Sequence, residues 1–182
     1  MSKIILDQQI PSGHLVIRYP QASDAEAMTE YINTLSREQT FIRFQGKQIT
    51  LEDEVGYLNG QLKKISDHLS VQLLAVIDEK LVGITGIEML DHSEAHVGTF
   101  GISLARDARS KGIGKLLMAT VIDEAIKNMD ELKIITLTCF ANNEVGLSMY
   151  RKFGFIEHGR LPDGVQRKGE YTDHIYMYKK VR

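Results

Sequence analysis

The chain has 182 residues, 43% of them hydrophobic, which fits a single domain spanning 1–182 with one substantial core. Twenty-two basic against twenty-four acidic side chains leave a formal charge of -2, so there is no global basic field of the kind that draws proteins to nucleic acid, and any phosphate affinity has to be local. The one cysteine, Cys139, excludes an internal disulfide and a multi-cysteine zinc site and fits a reducing, cytoplasmic setting, and no segment reaches the roughly 18 apolar residues of a membrane span.

The N-terminal "MSKIILDQQIPSGH" carries a short apolar patch and predicts no element. "HLVIRYP", closed by Pro20, predicts a strand over 14–18. Ser23 and Glu26 have capping-box spacing, and Ala25, Met28, Ile32 and Leu35 continue as the stripe of a first helix. Thr50 and Asp53 repeat that signal before Val55, Leu58 and Leu62, a second helix with the acidic opening "LEDE". "SVQLLAVIDEKLVGITGIEML" reads as two strands about a turn at Asp78 and Glu79, and "AHVGTFGISLA" as a third, all antiparallel. Met118, Ile122, Ala125, Ile126 and Met129 stripe a helix from Gly112 to about Met129, and "LKIITLTCF" follows as a buried strand. A strand, a crossover helix and a strand imply a locally parallel pairing. A last helix from about Asn143 to Phe153 stops at Gly154, and "FIEHGRL" and "YTDHIYMYKKV" are the final strands. There is no repeat, low-complexity stretch or linker.

Two glycines stand one residue apart in "ARSKGIGKLLM", among Arg109, Lys111 and Lys115, where the helix begins. Glycine costs roughly 1 kcal/mol relative to alanine inside a helix, so the placement points to something that approaches the backbone closely. A helix start offers unpaired N–H groups and about half a positive charge, which together make an anion site. A glycine-capped turn is the plainer reading of the same residues. The P-loop pattern fails, because it needs glycine at Arg109 and a hydroxyl at Leu116. The dinucleotide fingerprint fails as well, because it needs a third glycine at Leu117 after a parallel strand. His92 and His96 have an i, i+4 spacing, but Ser93 stands where a zinc-protease motif has glutamate, so no metal is expected. Cys139, at the end of an apolar strand, reads as a small core residue.

What fits is "RSKGIG" between a strand and a helix, together with "NNEVGLSMYRKFGF", in which Asn143, Tyr150 and Gly154 are spaced by seven and four. Together they resemble the acetyl-CoA-binding core of the GCN5-related N-acetyltransferases, and "GEYTDHIYMYKK" is similar to the branch that holds spermidine and ribosomal-protein N-terminal acetyltransferases. The resemblance covers nearly the whole chain in element order and is most specific from Gly101 to Ile156. It implies a mixed α/β fold with a central, mostly antiparallel, V-shaped sheet flanked by helices. It also implies that the backbone of Arg109, Ser110, Lys111, Gly112, Ile113, Gly114 and Lys115 cradles the coenzyme A pyrophosphate. Ile102, Ser103 and Leu104 would pair with the pantetheine amides, Asn143 would bond the pantetheine arm, and Tyr150 would protonate the departing thiolate as general acid.

Many members of that family carry a glutamate in the strand before the phosphate loop, where this chain has Thr99 and Phe100. That leaves Glu88 and His96 as the candidate bases. Gly146 stands where the family often has alanine. The expected activity is transfer of acetyl from acetyl-CoA to a primary amine of a small molecule or a protein N-terminus, by direct attack in a ternary complex. The alternative is a non-catalytic acyl-CoA sensor of the same fold. The expected partners are acetyl-CoA and an amine, with no nucleic acid and no membrane, and with a homodimer left open. Glu52, Asp53 and Glu54 lie where the family shapes its acceptor site, which implies an acceptor that is cationic before reaction; the plainer reading of the same acids is a helix N-terminus enriched in negative charge by the dipole.

Overall fold

The computed structural model describes residues 3–182. Its strands are β1 (Ile4–Ile10), β2 (Gly13–Arg18), β3 (Ser70–Ile77), β4 (Lys80–Met89), β5 (Val97–Leu104), β6 (Ile134–Phe140), β7 (Ile156–Arg167) and β8 (Glu170–Lys180). Its helices are α1 (Ala25–Arg37), α2 (Leu51–Ser66), α3 (Ile113–Asn128) and α4 (Glu144–Lys152). The strands form one eight-stranded sheet in the order β1-β2-β3-β4-β5-β6-β8-β7. All the pairings are antiparallel except β5 with β6, which the α3 crossover makes parallel.

Alternation along the strands assigns the two faces. In β3, Leu73 joins the cluster that holds Leu117, Met118 and Val121 of α3, whereas its neighbour Leu74 joins Met28 of α1 and Leu58 of α2. Successive strand side chains point to opposite faces, so α3 covers one face and α1 with α2 the other. α3 contributes seven buried residues, which is why its sequence is apolar well beyond a single stripe. No helix among the described residues is long and apolar enough to cross a membrane.

Local chemistry sets most element ends. Thr50 Oγ1 accepts from the Asp53 amide at 3.1 Å while Asp53 accepts from the Thr50 amide at 2.9 Å, a reciprocal cap for α2. Gly154 closes α4 with φ +84°, which costs a residue without Cβ nothing. The first helix starts differently from the Ser23 and Glu26 spacing. Asp24 is the buried residue at its head, accepting from the Gln21 amide at 2.8 Å and gripped by Arg18 through two bonds of 2.8 and 2.7 Å. The N-terminal patch is an edge strand, β1, which the polar run Asp7–Gln9 hides from a period-two reading. β7 extends beyond "FIEHGRL" to Arg167, past a register break between Leu161 and Val165 where Asp163 takes φ +52°.

Candidate active site

The parallel pair is short. β5 and β6 are in register only at Val97–Ile134, Gly98–Ile135 and Thr99–Thr136. β5 then continues to Leu104 beside β4, and β6 continues to Phe140 beside β8. Past Thr99, therefore, each strand has lost its partner on the inner side, and the sheet opens into a V with a free edge of backbone on β5. A cavity of about 1020 Å³ occupies the opening. Its walls include Thr99–Ser103 on one arm, Leu137–Phe140 on the other, and Asn143 and Tyr150 from the α4 region.

At the far end of β5 the chain makes a short 3-10 turn, Arg106–Ala108, and enters α3 through Gly112, which has φ +80°. The first bond into the helix is from the Leu116 amide to the Gly112 carbonyl at 3.1 Å, so the amides of Ile113, Gly114 and Lys115 are the open donors of this N-terminus. Nothing lies within 4 Å of the place where a Cβ on Gly112 would sit, so approach to the backbone there is free. Gly114 serves a different end, since a Cβ on it would lie 2.8 Å from Leu104 Cδ1 and the missing side chain lets β5 pack under the helix. Arg109 folds inward, donating twice to the Leu104 carbonyl at 3.1 and 3.0 Å and reaching Glu38 at 3.3 Å. Its guanidinium thus ties the loop to the end of β5. Ser110, Lys111 and Lys115 are exposed, and Ile113 is buried beneath the loop.

Tyr150 is 8% exposed and lies in a three-ring cluster with Phe100 and Phe155, at centroid distances of 6.1 to 6.3 Å. Burial, and then the adjacent Cys139, push its pKa far above the usual phenol value, so the hydroxyl is protonated at any physiological pH. Asn143 caps α4 by accepting from the Gly146 amide at 3.1 Å. A Cβ on residue 146 would fall 2.6 Å from the Asn143 amide nitrogen, which gives a packing reason for glycine there. Burial pushes the Cys139 thiol up to about 11, against the hydrogen bonds it shares with Asn143 and the Phe140 carbonyl, so it is an unreactive thiol at neutral pH.

Glu88 also lines the cavity, directly across the strand pair from Thr99, so a carboxylate stands one strand away from the position where the resemblance expects one. Burial works against its ionised form, but hydrogen bonds from Lys64 and from Gln61 (2.6 Å), together with the Lys64 charge, hold its pKa below the ordinary range. His96 is exposed in the turn before β5, at the closed end of the V, and is not part of the cavity wall. The acids of α2 are outside the wall too. Asp53 is used in the cap, Glu52 is exposed, and Glu54 is buried with a raised pKa from desolvation.

Several lining residues carry no sequence signal of their own. The segment 38–49 between α1 and α2 brings Phe41, Ile42, Arg43 and Gln45 over the cavity. Phe41 stacks edge-on to Phe140 at 5.7 Å and lies under the Arg167 guanidinium at 4.1 Å. Gln72 of β3 and His174 of β8 also line the cavity, and desolvation lowers the pKa of His174. Only the fold brings residues so distant in sequence together.

The profile of the acetyltransferase (GNAT) family matches residues 29–155, more than half of the chain. The chain belongs to the GNAT family. Among its relatives is the L-amino acid N-acetyltransferase AaaT of Escherichia coli, 29% identical over 176 residues that cover 91% of this chain and 97% of that one. A GNAT acetyltransferase structure from Streptococcus pneumoniae superposes with a TM-score of 0.83 at 27% identity, covering 92% of this chain and 99% of the other. The putative acetyltransferase yncA of Salmonella typhimurium, solved with acetyl-CoA, shares the GNAT fold with a TM-score of 0.80 at 15% identity over 92% and 94% of the two chains. The GNAT assignment makes the chain an acetyltransferase, and the V between β5 and β6 is its candidate active site.

Proposed function

We propose that this acetyltransferase moves the acetyl group of acetyl-CoA onto a primary amine of a small molecule or a protein N-terminus, by direct attack within a ternary complex. The observation that carries the reading is the loss of β5–β6 pairing beyond Thr99, which leaves a strand edge open beside a cavity with Tyr150 in its wall. The pantetheine arm would add to the free edge at Ile102, Ser103 and Leu104 as an extra strand. The pyrophosphate would lie against the open amides of Ile113, Gly114 and Lys115, where the helix dipole favours negative charge. Asn143 would orient the arm beside α4. The role of the Arg109 side chain is then to fix the loop rather than to touch phosphate.

Attack of a neutral amine on the thioester builds an oxyanion and then releases a thiolate. Tyr150, protonated and in the last turn of α4, supplies the proton to the thiolate. Glu88, ionised and held by Lys64, is a weak proton acceptor at neutral pH, so its part is to attract and orient an ammonium or a water that takes the proton from it. His96, at the closed end of the V, has no place in this scheme. The whole chain acts as one catalytic domain in the cytoplasm. Release of free thiol from acetyl-CoA, followed across a panel of amines, tests the reading. Thiol release that depends on an amine supports it, whereas tight acetyl-CoA binding without any release assigns the chain as an acyl-CoA sensor.

A further inference from the structure

The acceptor side of the cavity contains polar atoms that nothing among the described residues satisfies. Gln72 is 5% exposed, lines the cavity, and donates through Nε2 to the Tyr57 hydroxyl at 2.9 Å, while its Oε1 is buried without a hydrogen-bond partner. Gln45 lines the same cavity from segment 38–49. Its Nε2 donates to the Thr40 and Ile42 carbonyls at 2.8 and 2.7 Å, which fixes the amide and leaves its buried Oε1 unpartnered as well. Buried amide oxygens are nearly always paired, so two orphans in one cavity mark a place where N–H donors arrive from outside.

The floor beside Gln72 is unusually clear. Across the sheet Gln72 of β3 is in register with Gly86 of β4, and Gly86 with Gly101 of β5. Two glycines in a row leave a trough without side chains from the Gln72 amide to the free edge of β5. A Cβ on Gly86 would meet the Val71 carbonyl at 3.2 Å, whereas Gly101 faces open space. The trough spans two strand spacings, roughly 10 Å, too far for Gln72 to touch an amine attacking a thioester at the β5 edge. Glu88 lies diagonally from Gln72 on the same face and adds negative potential along the trough.

Resting on the acetyltransferase reading above, we propose that the acceptor is bifunctional: one primary amine reacts at the β5 edge, while a second N–H-bearing group, an ammonium or a carboxamide, lies along the glycine trough and donates to Gln72. Gln72 is thus a specificity residue for the far end of the acceptor. The test compares n-pentylamine with 1,5-diaminopentane and 5-aminopentanamide by thiol release from acetyl-CoA. In the wild type at least one of the two bifunctional amines exceeds n-pentylamine in kcat/KM by about tenfold or more, the value of a hydrogen bond to a buried acceptor. Gln72→Leu collapses that preference while leaving n-pentylamine turnover, the KM for acetyl-CoA and the melting temperature in place. Gln72→Glu, which keeps the accepting oxygen, preserves it.

A merely structural role for Gln72 would lower all three amines together. That result, equal use of all three by the wild type, or a preference unmoved in Gln72→Leu, overturns the inference. Loss of the preference in Gln72→Glu overturns it too, since the amide would then act as donor. If the wild type releases no thiol with any amine, the catalytic reading fails. Binding of the two bifunctional amines to wild type and Gln72→Leu in the presence of coenzyme A, read by saturation-transfer NMR, then decides the inference by itself. A signal present in the wild type and lost in the variant supports it, and equal signals, or none in the wild type, reject it.

Discussion

At the scale of single residues, Tyr150 carries the sharpest chemical expectation. Its hydroxyl is raised out of reach of deprotonation by burial and by Cys139, so across pH 6 to 9 it is a donor whose own ionisation puts no limb into the rate profile. Tyr150→Phe keeps the ring against Phe100 and Phe155 and removes only the hydroxyl. Turnover should fall by about 10²-fold with little change in acetyl-CoA affinity, and the deficit should shrink as pH rises and the thiolate needs less assistance to leave. Single-turnover rates equal to wild type would reduce Tyr150 to packing. Glu88 gives a complementary expectation. Its pKa is depressed below the ordinary carboxylate range, so the carboxylate is ionised at neutral pH and is not the source of a limb there. Glu88→Gln should therefore lower kcat/KM without moving any limb between pH 5 and 9, which a pH–rate profile of the variant checks. A limb in that range that vanishes in Glu88→Gln would make the carboxylate the base.

At the scale of elements, the turn into α3 is where sequence and function meet most directly. Gly112→Asp places a carboxylate in the open space at φ +80°, against amides that would otherwise meet phosphate. Strain at a left-handed position costs roughly 1–2 kcal/mol, so the fold should survive while acetyl-CoA binding is abolished. Calorimetry on a variant with native circular dichroism tests this, and near-native affinity would remove the phosphate cradle. Such elements were legible in the sequence because their signals are local. The Thr50 cap, the Gly154 stop, the α3 stripe and the spacing of Asn143, Tyr150 and Gly154 depend on residues within a turn or two of each other. What escaped was set by tertiary context. β1 is a strand because β2 offers it an edge, despite Asp7 to Gln9. Asp24 heads α1 because Arg18 reaches it from β2. The two glycines of the proposed phosphate loop look equivalent in sequence, yet only Gly112 faces open space while Gly114 accommodates Leu104. Gln45 and Gln72 show nothing in a linear pattern, because their significance lies in the partners that folding withholds from them.

At the scale of the whole molecule, the site exists because two half-sheets part company after Thr99, and segment 38–49 bridges the opening from above. That bridge is secured by a contact across most of the chain. Arg167 at the end of β7 stacks its guanidinium on Phe41 at 4.1 Å and donates to the Gln39 carbonyl at 3.1 Å, and Phe41 in turn meets Phe140 of β6. A cation–π contact of this kind contributes about 0.5–2 kcal/mol, enough to bias a loop but not to determine the fold. Removing it should leave the β5 edge and the α3 turn untouched, because the Arg167 side chain stacks on and bonds to segment 38–49 through Phe41 and Gln39. Arg167→Ala is thus expected to raise the KM for the acceptor several-fold with the KM for acetyl-CoA unchanged, and to speed amide exchange across 38–46 while the α3 amides keep their protection. Hydrogen–deuterium exchange on the two proteins, together with both KM values, separates the outcomes. Faster exchange with an unmoved acceptor KM would mean that the bridge covers the cavity without shaping what it binds. A rise in both KM values would mean that the two arms of the V are coupled through β7 and β8, and that the acceptor and acetyl-CoA sites are not independent.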